Sequence, residues 1–190
     1  AIQSADREMN LIAGITESAG ANIQWLCDEF FAREKEEYGD GIYKYMDDVI
    51  RTIPPGSDHL VCTPWMLGER CPVSSTTTRA TLFNINMVHT REHLMRAVYE
   101  GIGYNLRWIL ENYKQDYGFT CDNFRIIGGG ALDDGWMQII ADITGKHFAV
   151  VKDPRNAGAV GVAVVALIGL GELPGFEAAK DFVQIEKRYK

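Results

Sequence analysis

The sequence predicts an α/β domain, a mixed sheet flanked by helices, and three observations carry that reading. The last third alternates strand, glycine turn, helix, strand and helix with short connections, the order that lays helices over a sheet. Residues 90–118 keep apolar side chains at helical spacing over one long stretch. The 190 residues are 46% hydrophobic and 24% charged, which excludes a disordered chain, a coiled coil and a collagen-like repeat.

Taken in order, residues 10–15 (NLIAGI) read as a short apolar strand. A helical stripe of Ile23, Leu26, Cys27, Phe30 and Phe31 follows, with residues 33–37 as its solvated end and Gly39-Asp40-Gly41 as its stop. Tyr45, Met46, Val49 and Ile50 predict a second, shorter helix, ended by Pro54-Pro55-Gly56. Residues 59–63 (HLVCT) and 81–87 (TLFNINM) read as strands on either side of a loop over residues 64–78. Thr90 caps the longest helix, with Glu92 in its first turn. Gly101 and Gly103 inside that helix imply a neighbour that approaches its backbone closely. Residues 123–127 form a strand, residues 128–131 a glycine turn, and Asp133 or Asp134 caps a helix closed by Gly145. Residues 147–151 are a strand and residues 156–168 a helix.

Charge and cysteine content narrow the function. There are 26 acidic against 19 basic residues, net −7, with no basic stripe, which argues against a nucleic-acid partner. Cys27, Cys62, Cys71 and Cys121 form no CxxC pair and no metal-ligand cluster, so free thiols and a cytoplasmic setting are expected, with no metal site. No leader with a basic and then an apolar region opens the chain. The apolar run at 157–170 is shorter than the ~20 residues a membrane span needs and reads as a buried core helix, so no membrane association is expected.

The turn Gly128-Gly129-Gly130-Ala131 leaves a strand and enters a helix. Backbone N–H groups at such a turn suit an anion or a nucleotide, although many tight turns use glycine for sterics alone. A Walker A loop would end in Lys-Ser or Lys-Thr, and a GxGxxG motif would need glycine at Asp133. Asp133 and Asp134 would repel a polyphosphate unless Mg²⁺ intervened, which favours the adenosine side of a nucleotide here.

With these residues in hand, the chain resembles the C-terminal half of the FGGY carbohydrate kinases, and among them the xylulose kinases. The likeness rests on Ala13-Gly14-Ile15 through Ser18-Ala19-Gly20 to Trp25, and on Pro64-Trp65-Met66-Leu67-Gly68-Glu69-Arg70-Cys71-Pro72. It continues in His93-Leu94 with Arg96 to Gly101, and in the glycine turn with Trp136, Gln138, Ala141-Asp142, Ala157-Gly158-Ala159 and Gly161. The resemblance implies an actin-like (ribonuclease-H-like) ATPase domain, lacking its first strands, that closes with a sugar-binding partner domain on ATP and Mg²⁺. It implies that Gly129, Gly130 and Ala131 line the adenosine and α-phosphate side, that Asp134 faces adenine, and that Gly68 lies near the cleft. Ala80 and Asn84 stand where the family commonly has glycine.

The family's catalytic aspartate and its Gly-Thr-Ser turn have no match here, so no catalytic residue is assigned. Residues 1–190 then read as most of one domain, cut from a longer chain whose N-terminal domain binds the sugar. The implied reaction moves the γ-phosphate of ATP to a ketopentose such as xylulose, which the fragment alone would not perform. Another FGGY substrate (glycerol, gluconate, ribulose) and a non-catalytic actin-fold interaction module are the alternatives. An exposed edge at the first strand would allow a homodimer. Glu69 and Arg70 are expected to make a structural ion pair with each other or with neighbours across the loop, Glu100 to be structural rather than functional, Trp136 to lie in the core, and none of the four histidines to act in catalysis.

Overall fold

A computed structural model of the chain describes residues 2–190. Two short antiparallel pairs precede the main sheet. The first joins β1 (Ile2–Gln3) to β2 (Asn10–Leu11), and the second joins β3 (Val61–Thr63) to β4 (Thr81–Phe83). The main sheet has the order β5-β6-β7, from β5 (Asn123–Ile126), β6 (His147–Val151) and β7 (Ile185–Tyr189). β5 and β6 are parallel, with Asn123 opposite His147 and Ile126 opposite Val150, and β7 runs antiparallel to β6. A parallel pair needs a crossover, and α5 (Asp134–Thr144) supplies it.

The remaining helices are α1 (Gly20–Phe30), α2 (Ala32–Tyr38), α3 (Ile42–Ile50), α4 (Arg91–Tyr117) and α6 (Ala157–Gly169). α4 is the spine of the core, and α1, α3, α5 and β3 all pack on it. Gly101 and Gly103 account for two of those approaches. A Cβ at Gly101 would stand 2.3 Å from the carbonyl oxygen of Cys62 in β3, and one at Gly103 would stand 2.8 Å from Cδ1 of Ile143 in α5. Around this spine Leu26, Phe31, Met46, Ile50, Leu60, Val98, Tyr99 and Ile102 are buried together.

Several expected elements shift, each for a local reason. The stripe from Ile23 onward is two helices, because Phe31 leaves helical geometry (φ −127°, ψ 30°) and turns its ring fully into the core. The strand expected at 10–15 stops at Leu11, since its partner β1 is two residues long and Ile12 and Ile15 stay exposed. The strand expected at 81–87 stops at Phe83, where Asn84 takes a left-handed φ of 65° and donates its amide to the carbonyl of His59. The expected core helix α6 is largely bare: Val164 is buried, whereas Val160, Val162, Val165 and Leu170 are exposed. Residues 185–189, for which the sequence reading gives no element, form the edge strand β7, with Lys187 and Tyr189 on one face of the pleat.

Replacing Gly101 by Ala should lower stability by about 1–3 kcal/mol, because the new methyl meets the β3 backbone. Gly158→Ala in α6, where a Cβ meets nothing within 4 Å, should be neutral or stabilising. Urea midpoints of the two variants measure the contrast.

Candidate functional site

Parallel strands present their C-terminal ends side by side, and ligands of open α/β sheets bind beyond those ends. Here the turn after β5 is Gly128–Leu132 and the turn after β6 is Lys152–Asn156. The two are joined by the Gly128 N–H, which donates to the carbonyl of Pro154 at 2.7 Å. Facing them across a cleft of about 480 Å³ stand Gly20 and Ile23 of α1 and Tyr43, Lys44 and Asp47 of α3. Gly129, Gly130, Leu132, Asp133, Asp134, Trp136 and Arg155 form the near wall. That volume falls within the range of small-molecule sites.

The three glycines of the turn have different reasons to be glycine. Gly128 adopts φ 94°, open to few side chains. A Cβ on Gly130 would lie 2.7 Å from Cζ3 of Trp136, whose ring packs edge-on to Tyr99 in the core. Gly129 has neither constraint: its φ is not left-handed, and a Cβ there would meet only Nε of Arg155, at 3.9 Å. The fold therefore does not require glycine at 129, and its bare backbone faces the cleft.

Beneath the turn, Asp47 and Asp133 meet. Asp133 caps α5 by accepting the N–H of Trp136 at 2.8 Å. Asp47 accepts the Gly135 N–H at very short range, and Nη2 of Arg51 at 2.8 Å. Burial, and then the hydrogen-bonded carboxyl of Asp47, push the Asp133 carboxyl up to about 8, so it carries a proton at neutral pH. Asp134 is not the cap. It accepts Nζ of Lys187 at 2.8 Å and the hydroxyl of Tyr189 at 2.5 Å. Burial opposes its ionisation, but these β7 donors outweigh that and hold its carboxyl below the usual range. The repulsion expected between these two aspartates and a phosphate is therefore largely removed, one by protonation and the other by ion pairing.

Of the residues singled out in the sequence, Gly129, Gly130 and Asp134 come together on the cleft wall. Ala131 is buried behind it, and Gly68 is not among the lining residues. Gly68 (φ 87°) instead closes a tight loop in which Glu69 and Ser75 exchange backbone hydrogen bonds. The Glu69 carboxylate accepts from Thr16, Asn105 and the backbone N–H groups of Glu17 and Arg70, so it is held by neutral donors rather than by the expected ion pair. Arg70 pairs with Glu17. Glu100 is buried and pairs with Arg96 at 2.8 Å, an ion pair that its position in the sequence did not announce. Sequence reasoning missed Tyr43, Lys44, Asp47 and Arg155: Tyr43 and Lys44 lie in the first turn of α3, and Asp47 and Arg155 belong to no motif. Among the described residues no group of three His, Cys, Asp or Glu could hold a metal ion, and no helix is long and apolar enough to cross a membrane.

Comparison with known proteins agrees with this architecture. The model of the FGGY family of carbohydrate kinases, C-terminal domain, matches residues 3–170, and the chain belongs to that family. It is 28% identical over 176 residues to a gluconokinase of Bacillus subtilis, covering 91% of this chain and 34% of that protein. It is 31% identical over 173 residues to the xylulose kinase of the same organism, covering 90% of this chain and 33% of the relative. The crystal structure of xylulose kinase from Rhodospirillum rubrum superposes with a TM-score of 0.76 at 28% identity, covering 92% of this chain and 34% of that one. The fold is thus that of the actin-like ATPase domain of FGGY kinases, with helices on a mixed sheet. The chain spans about a third of the length of these relatives.

The raised Asp133 carboxyl fixes a pH dependence. Its proton is held in the folded state up to about pH 8 and lost from the unfolded chain near pH 4. Its stabilisation is therefore complete below pH 4 and disappears as pH rises through about 8. Asp133→Asn keeps a cap and removes the titration, so its unfolding midpoint should fall less between pH 5 and pH 8.5 than that of the wild type. Equal slopes would contradict the assignment.

Proposed function

We propose that this chain is the nucleotide-binding portion of a sugar kinase that moves the γ-phosphate of ATP to a sugar hydroxyl. The observation that carries the reading is Gly129: a glycine the fold does not demand, open to a cleft at the ends of two parallel strands. The cleft residues suit the adenosine and α-phosphate side of ATP. Bare backbone at Gly129 admits a flat ligand, and Asp134 at the α5 N-terminus can accept from an exocyclic amino group. Mg²⁺ fits less well, because Asp47, Asp133 and Asp134 are already engaged by Arg51, Trp136 and Lys187, and no step is routed through it.

In this reading the acceptor sugar, the base that takes its proton and further phosphate contacts come from an N-terminal region of a parent chain. Phosphoryl transfer needs that positioning and that base, so the 190 residues alone bind nucleotide without turning it over. A ketopentose such as xylulose is the acceptor we favour, from the Gly68-Glu69-Arg70 stretch; the likeness to a gluconokinase keeps gluconate as its rival. A cytoplasmic enzyme of sugar metabolism follows from these substrates. The bare apolar side of α6 favours a second role as an interaction face, toward the parent domain or a second copy.

Isothermal titration with ADP tests the reading. Gly129→Leu should leave stability within about 0.5 kcal/mol of wild type and weaken ADP binding more than tenfold. Gly130→Ala should instead destabilise the fold through its clash with Trp136. Absence of ADP binding to the wild-type chain at millimolar concentration, or undiminished binding by Gly129→Leu, would sink the proposal.

A further inference from the structure

Arg155 occupies a position that neither the fold nor its neighbours explain. It follows Pro154, which is fastened to the glycine turn through the Gly128 N–H. The segment is held further by Asp153, which adopts a left-handed φ of 51° and whose side chain accepts the Asn156 amide at 2.8 Å. The result is a fixed turn that lays the guanidinium beside Gly129, on the cleft wall.

The other cations around the cleft are engaged. Arg51 is paired with Asp47, Lys187 with Asp134, and Lys44, at the cleft's exposed rim, with Asp48 at 3.3 Å. Among the described residues Arg155 has no carboxylate partner and makes no side-chain hydrogen bond. The next residues open α6, whose first turn holds no acidic group, and the Asn156 side chain accepts no helix N–H but donates to Asp153. A cation without a partner therefore stands beside Gly129, on the wall of the cleft.

We propose that Arg155 is a specificity-determining residue that reads phosphate charge on the bound nucleotide, separating nucleotides from nucleosides. The inference rests on the nucleotide reading of the cleft. A planar guanidinium can donate two N–H groups to two phosphate oxygens, whereas adenosine offers it no such pair. The energy of a hydrogen bond to a charged group sets the expected discrimination at about tenfold.

Calorimetric titration of the wild-type chain, Arg155→Met and Arg155→Lys with ADP and with adenosine decides it. Arg155→Met should lose about tenfold in ADP affinity and its salt dependence, with adenosine affinity within twofold of wild type. Arg155→Lys should recover part of the ADP loss, since it restores charge without the fork. Equal loss for ADP and adenosine would assign Arg155 to packing and overturn the proposal. Unchanged ADP affinity in Arg155→Met would overturn it while leaving the nucleotide cleft intact. A wild-type chain that bound neither ligand would remove both.

Discussion

The contact on which the site depends is the one between Asp47 of α3 and the backbone of Gly135 in α5. A buried carboxylate needs donors, and this one takes the Gly135 N–H and the Arg51 guanidinium. Position 135 must be glycine for that, because a Cβ there would stand 2.3 Å from Oδ1 of Asp47. The hydrogen bond ties the helix that walls the cleft to the helix whose N-terminus floors it. It also places Asp47 against Asp133, which adds to burial in raising the capping carboxyl well above the usual carboxylate range. Remove the contact and two helices lose their common anchor, while a buried carboxyl loses its donors.

Electrostatics around the cleft follow from that arrangement. Two aspartates at a helix start would ordinarily give a site hostile to phosphate. Here one is neutral, and the other is neutralised by β7, a strand contributed from far along the chain. Arg155 is left as uncompensated positive charge. The anionic ligand we propose would thus meet little opposing charge in the cleft, although the chain as a whole carries −7.

Much of this was legible in the sequence, and the limits are instructive. Helix α4, its capping Thr90 and its terminal Gly118 follow from periodicity and end signals, as does the β5–α5–β6 unit with its glycine turn. Gly101 and Gly103 were readable as close approaches, though not what they approach. Strand β7 was hidden because its alternation is written in charged residues, whose partner Asp134 lies 53 positions away from Lys187. Phe31 broke a helix that its spacing supported, since filling the core outweighed local propensity. The cap itself was ambiguous between Asp133 and Asp134 until their partners were known. Asp47 and Arg155 carried no motif at all; tertiary placement alone makes them part of the site.

Whether an adenine nucleotide occupies the cleft between α3 and the glycine turn is decided by amide hydrogen exchange with and without ADP. Nucleotide in the cleft should add protection concentrated in residues 128–136 and 153–157, with a smaller change at 43–47 of the facing helix. Protection confined to other segments, such as the 64–78 loop, would contradict it.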